Sequence, residues 1–401
     1  MKRMTWIKAI VPVAVAAAGI TLAERASATT CSTLPGATFI TGSSAAKPLL
    51  AGLGTALAKA APVTQTLIYA SPGSCGGVDA IFNGTKMTGT ATYWDSTGTP
   101  QSCDLDLPGG NTVDVGVSDV FASSCAGFGA VPATIGDFFG PNQVMNFVVP
   151  TASSQTLISA QAAYLVFGLG AVGAVSPWID PSFTFIRSAT SGTQSMLAAA
   201  IRVPPAKWLG VSEASSSAML TAVTTSAQAE KTIGILASDV ADKARHMSPP
   251  SLKILAYQHF DQDCAWYPDS SSTSFDKLNV RDGHYPNWGP LHFFATIDGA
   301  TKLPVKPEAK TLIGFFTGTV TPPASVNLLD LEIAASTVPA CAMRVQRSSE
   351  VGDVTAFTPS APCGCYFDFK SNGSTTCAAC TKDADCTGSA KHCRNTYCEA
   401  N

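Results

Sequence analysis

The sequence predicts an α/β protein carrying a small disulfide-rich C-terminal module. Three observations point there. Short apolar runs alternate with helix-forming runs through Gly/Ser-rich loops, the order expected of sheets covered by helices. Seven of the 13 cysteines fall in residues 363–401, a stretch with too little apolar material for a core of its own, so crosslinks must replace one. The chain before that stretch is long enough for one large or two medium domains.

Residues 1–28 read as a secretory leader. Lys2, Arg3 and Lys8 form a basic start, residues 9–22 an apolar run, and Ala26-Ser27-Ala28 a small-residue cleavage site. The apolar run is shorter than the ~20 residues a membrane span needs, and no later segment supplies one. The product is expected to be secreted or periplasmic, cut near Ala28. The leader takes four of the 25 basic and one of the 28 acidic residues, leaving a net charge of −6. A nucleic-acid binder should show a basic patch or stripe; none remains, so no nucleic-acid partner is expected. Export makes disulfides the default state of the cysteines, and their odd number leaves at least one unpaired or paired between chains. The same context disfavours zinc at Cys377-x-x-Cys380. A calcium loop at Asp383-x-Asp385 lacks its closing glutamate, with Arg394 in that place. No metal and no cofactor are expected.

Along the chain, "ATFITGSSAAKPLLAGLGTALAKA" (37–60) reads as strand, tight loop and helix, with Pro48 in the first helical turn, where its missing N–H is harmless. "TLIYASPGSCGGVDAIF" (67–82) repeats the pattern. Residues 84–112 break it and look like an inserted hairpin pinned by Cys103. "VDVGVSDVFASS" (113–124) is a short strand running into a loop, and "NQVMNFVVP" (142–150) a buried strand. "SQTLISAQAAYLVFGL" (154–169) reads as a helix capped by Ser153 or Ser154. "SFTFIRSATSGTQSMLAAAI" (182–201) and "KTIGILASDVADKA" (231–244) are further strand-loop-helix units. Residues 258–290 form a long aromatic and polar loop, and "PSAPCG" (359–364) a linker. The alternation argues for largely parallel sheets.

The loop before residue 192 carries the first chemical argument. Gly192 lets the chain approach a ligand closely. Ser191 and Thr193 offer hydroxyls, and the N–H groups opening the next helix have no intrahelical partners and favour an anion. Arg187 would pair bidentately with an oxyanion. Taken alone, these residues read first as a helix cap beside a surface arginine. Three other loops have the same character: "GSSAAKP" (42–48), "SPGSCGG" (71–77) and "GVSDV" (116–120). In open α/β sheets ligands sit outside the carboxyl ends of the strands, where all four loops would converge.

In this order the loops resemble those of the type II periplasmic binding proteins, specifically the phosphate-binding components of ABC importers. There they read approximately G-[AS]-[GS]-x-T-x-P, G-S-S-G-G, G-A-S-D and R-x-D-G-S-G-T. The resemblance covers roughly residues 37–345. It implies a two-lobed type II fold, binding of inorganic phosphate or a similar oxyanion, no catalysis, and an ABC-type membrane permease as partner. It implies that Ser74 hydrogen-bonds the anion and Asp119 faces it. Arg187 would pair with it, Ser191, Gly192 and Thr193 would cap it, and Ser43 and Ser44 would close the other side. Three positions depart from the pattern. Ala45 or Ala46 stands at the ligating threonine, Ala189 at the aspartate that orients the arginine, and Cys75 at a serine. Asp119 adds selectivity: monoprotonated phosphate can share a proton with a carboxylate and sulfate cannot. Its alternative role is to cap the next helix.

Gly168-x-Gly170-x-x-Gly173 follows a helix instead of a strand and reads as a helix stop, not a dinucleotide loop. Ser44-x-x-Lys47, with Ser118-Asp119-Val120, resembles the motifs of serine acyl enzymes, although Lys231-Thr232-Ile233 falls short of K-T-G. An acyl enzyme using Ser44 and Lys47 is therefore one alternative function. A cell-envelope adhesin or scaffold that keeps the binding fold without tight affinity is another, supported by the cysteine-rich tail, which would hold an envelope partner. The five histidines are scattered and suggest no metal hydrolase. The expected division is a leader at 1–28, lobe one at 29–147 and 290–358, lobe two at 148–289 and the tail at 359–401. The tail should be a separate knob, away from the cleft, tied back through Cys341.

Overall fold

The computed structural model describes residues 29–400; the expected leader and its cleavage site lie outside them. The first stretch runs β1 (Ala37–Gly42), α1 (Lys47–Ala58), β2 (Thr66–Ala70), α2 (Ser74–Phe82), β3 (Thr90–Trp94), β4 (Pro100–Asp104) and β5 (Val115–Ser118). The long β6 (Ile135–Pro150) leads into β7 (Leu157–Ser159), α3 (Ala160–Leu169), β8 (Phe185–Ile186), α4 (Gly192–Ile201), β9 (Val211–Ser212), α5 (Ser216–Thr224), β10 (Gly234–Ala237), α6 (Ser238–Arg245), β11 (Leu252–Ile254), β12 (Ala256–Gln258) and α7 (Leu278–Arg281). β13 (Trp288–Thr296), α8 (Pro307–Thr317), α9 (Leu328–Ala334) and α10 (Gly364–Asn372) complete the helical framework.

One nine-stranded sheet, in the order β10-β6-β13-β5-β1-β2-β3-β4 with β11 also on β6, runs through the molecule. β1 lies parallel to β2 and β5, as the strand-loop-helix units require. The rest of the sheet is antiparallel, which corrects the expectation of largely parallel strands. β13 returns between β5 and β6 and runs against both. β10 and β11 run against the second half of β6. The direction of β13 follows from its role as the return strand, which no local pattern encodes. β6 pairs with β13 from Ile135 to Val144 and with β10 and β11 from Met145 to Pro150. Its residues 140–150 are all buried, as strands covered on both faces are.

Leu49, Leu50, Leu53 and Leu57 of α1 pack with Leu312 and Phe315 of α8 and Phe293 of β13. A larger cluster joins α3, α4 and α6 to β6 through Phe167, Leu197, Ala241 and Phe147. The hairpin of residues 84–112 covers a third cluster, and Cys31–Cys103 ties it to the start of the described chain. The helix expected from residue 154 begins only at Ala160. Residues 157–159 pair with β12, and Ser159 caps the helix by accepting from Ala162 N at 3.1 Å. Ser153 and Ser154 turn instead toward Glu230.

The tail is stapled by Cys365–Cys377, Cys380–Cys393 and Cys386–Cys398 and joined to the body by Cys341–Cys363. Cys264 is free and exposed. The tail is not a detached knob. Phe367 of α10 is 2% exposed within the same cluster as α3 and α4, Asp368 pairs with buried Arg281, and Tyr366 donates to Asp330 of α9 at 2.6 Å. The run "CYFDF" supplies the apolar material that a count over the whole tail hides. No helix of the described residues is long and apolar enough to cross a membrane.

Candidate functional site

The carboxyl ends of β1, β2 and β5 bring Ser43, Ser74 and Asp119 together. Ser43 Oγ donates to Asp119 Oδ1 at 2.5 Å, and Ser74 Oγ donates to Asp119 Oδ2 at 3.1 Å. Asp119 N donates back to Ser74 Oγ at 3.2 Å. Ser43 Oγ also accepts from Ala45 N and Ala46 N at 3.0 and 3.3 Å, so it caps the turn that leads into α1. Asp119 does not cap the following turn. Tyr69 of β2, which sequence reasoning missed, donates its hydroxyl to the Ser43 carbonyl. Cys75–Cys125 ties the start of α2 to the chain just past Asp119. Glu350 holds that same segment, accepting from Phe121 N at 2.9 Å and Ser124 Oγ at 3.0 Å.

Asp119 is 2% exposed. Burial pushes its carboxyl up to about 6, against the hydrogen bonds of Ser43 and Ser74 and the charges of Arg187 and His292, which pull it down. Burial likewise lifts Glu350 to about 7.

α4 faces this group. Its first residues, Gly192, Thr193 and Gln194, are buried, and the N-cap residue Ser191 makes no side-chain cap. The opening amides therefore keep their partial positive charge toward the site. A Cβ built on Gly192 would fall 2.2 Å from Ser74 Oγ and 2.6 Å from Asp119 Oδ2, so only glycine allows this approach. Cys75 N donates to Thr190 O at 3.2 Å and closes the same junction. Ser191 and Thr193 are buried beside it, and their hydroxyls make no hydrogen bond among the described residues.

Arg187, 6% exposed, is positioned without the aspartate that Ala189 replaces. Its Nε donates to Glu213 O at 3.1 Å and its guanidinium to Ser216 Oγ at 3.0 Å. Gln194 Oε1 accepts from Arg187 N at 2.7 Å and fixes β8 against α4. Ser44 Oγ lies 3.5 Å from Ser216 Oγ, and Lys47 points to solvent. Among the described residues no hydrogen bond joins Ser44 to Lys47. Ser216, like Ser191, sits at a helix start, and that is the signal by which the sequence could have shown it.

No family model matches the sequence, and no curated protein matches it. Solved structures do share the fold. A putative phosphate ABC transporter substrate-binding protein with bound phosphate from Clostridium perfringens aligns with a TM-score of 0.50 at 11% identity, covering 76% of this chain and 99% of that one. An ABC-type phosphate transport receptor from Vibrio cholerae aligns at 0.47 and 15% identity, covering 75% and 99%. A phosphate-binding protein from Stenotrophomonas maltophilia aligns at 0.43 and 14%, covering 75% and 90%. The Clostridium perfringens match shows that the chain has the two-lobed, type II periplasmic-binding-protein fold, with a disulfide-stapled module added at its C-terminus.

Proposed function

We propose that this protein is a solute-binding protein that captures an inorganic oxyanion, phosphate foremost, between its lobes. The observation that carries the reading is the juxtaposition of the uncapped, buried start of α4 with Arg187 and the carboxylate of Asp119. Backbone amides and a guanidinium attract an anion. A buried carboxylate repels one unless the anion shares a proton. Monohydrogen phosphate has such a proton near neutral pH and sulfate has none, which is the basis of selectivity. The bound phosphate of the Clostridium perfringens protein of the same fold supports the choice of ligand. The lobes divide as 29–147 with 290–358 against 148–289, and β6 and β13, the long strands common to both, serve as the hinge. The leader places the protein outside the cytoplasm, where an ABC-type permease is the partner.

A second reading, an envelope scaffold with the binding fold but no tight ligand, is favoured by one observation. Ser43 and Ser74 donate to Asp119, so hydroxyls expected on the ligand are engaged with the carboxylate instead. Titration calorimetry with phosphate, sulfate and a sugar panel decides. Micromolar or tighter phosphate binding with sulfate excluded supports capture. Absence of binding by every ligand supports the scaffold.

A further inference from the structure

The tripeptide Ser-Asp-Val occurs twice, at 118–120 and at 238–240. Each copy lies at the carboxyl end of a strand, the first closing β5 and the second following β10 into α6. The first supplies Asp119. The second supplies Asp239, which is 1% exposed and whose Oδ1 has no hydrogen-bond partner. The turn that carries it is fixed: Asn146 Nδ2 donates to Ser238 Oγ at 3.0 Å and to Leu236 O at 3.3 Å. Asp239 lies within electrostatic reach of Asp119, Arg187 and Tyr69, the groups already gathered at the site. An unpartnered buried carboxyl is costly; a bound anion among these groups would give it a partner.

We propose that Asp239 is a ligand-binding residue of the cleft: carrying a proton, it donates a hydrogen bond to the bound oxyanion and supplies the donor that the first loop lacks at Ala45 and Ala46. This deepens, and rests on, the anion-capture reading above. Ser43 and Ser74 cannot take the role while they donate to Asp119. Burial and the neighbouring Asp119 charge push the Asp239 carboxyl well above the usual carboxylate range, which favours the protonated form that can donate. Lys243 and Asp242 on its own helix act in opposite directions. Arg187 and Tyr69 are further titratable groups within its electrostatic reach. One further consequence is that phosphate binding in the wild type should weaken as rising pH removes this proton.

The test is phosphate calorimetry on the full chain from pH 5 to pH 9, comparing wild type, Asp239→Asn and Asp239→Ala, with circular dichroism to confirm folding. The asparagine keeps a donor but cannot titrate. The expected result is that the Asp239→Asn affinity falls less with pH than the wild type's, the ratio of the two cancelling the ionisation of phosphate itself. Asp239→Ala should bind about 10–100-fold more weakly at acid pH, the loss of one hydrogen bond to a charged group. Superimposed pH profiles for wild type and Asp239→Asn, or full affinity in Asp239→Ala, overturn the proposal and leave anion capture standing. A wild type that binds phosphate at no pH overturns both.

Discussion

Gly192, at the start of α4, stands directly against Asp119, at the end of β5: a methyl group on the glycine would lie 2.6 Å from Asp119 Oδ2. The two residues come from loops some seventy positions apart in the chain, and their contact closes the junction at the centre of the molecule. Gly192→Ala should therefore hold the two loops apart. Its backbone is helical, so alanine costs nothing in φ. The expected outcome is an intact fold by circular dichroism with phosphate affinity reduced at least tenfold, an effect of about 1.4 kcal/mol. Unchanged affinity would show that this contact is not the closed state of the site.

Asp119 makes a pH-dependent contribution whose sign is opposite to that of a salt-bridged carboxylate. Its carboxyl is raised to about 6 in the folded protein, above the roughly 3.9 of an unfolded chain. The folded state thus holds the proton more tightly. Stability falls as pH rises from about 4 to about 6, and above that the buried charge costs up to about 3 kcal/mol. Asp119→Asn should unfold at higher urea than wild type at pH 7.5, with the difference closing near pH 4. The same substitution should lower phosphate affinity and narrow the preference over sulfate, measured by calorimetry.

Much of this site is legible in the sequence, and the remainder is hidden for identifiable reasons. Ser43, Ser74 and Asp119 can be found because strand-loop-helix units put their loops at the carboxyl ends of neighbouring parallel strands. Gly192 and Arg187 follow from the helix start. Tyr69 sits in the middle of β2, where the partner strand decides which way a side chain faces. Ser216 looks like any other N-terminal serine until Arg187 is seen to bond it in place of the missing aspartate at 189. Asp239 is not singled out by the sequence reading: nothing marks it until its carboxyl is seen buried with an unpartnered oxygen. The direction of β13 depends on pairing with β5 and β6, far away in the chain.

The Cys75–Cys125 disulfide joins the residue after Ser74 to the segment after Asp119, closing a loop of separation 50. Chain entropy alone gives such a crosslink about 4 kcal/mol. Replacing both cysteines by serine should lower the urea midpoint accordingly. It should also weaken phosphate binding, because Ser74 and Asp119 lose the link that keeps their loops together. A variant with reduced stability and full affinity would show that the hydrogen bonds between Ser74 and Asp119 hold the loops unaided.

The tail should separate into two parts with different consequences when altered. Phe367 is buried in the main cluster, and Cys363 is tied to Cys341. Phe367→Ala should destabilise the whole protein by about 3–5 kcal/mol, the usual cost of emptying a buried aromatic site. The last stretch is held more lightly: Glu399 accepts from Cys365 N at 2.6 Å and Tyr397 lies against Phe369 of α10, while Cys380–Cys393 and Cys386–Cys398 close within it. Substituting those four cysteines by serine should unfold residues 380–400 locally, because so short a chain rarely buries enough surface to fold without crosslinks. Limited proteolysis should then cut there while the body stays intact. None of the residues that gather around Asp119 belongs to the tail, so phosphate affinity should be unchanged in the cysteine variant. Loss of affinity in a variant whose body still melts at the wild-type temperature would place the tail in the binding site.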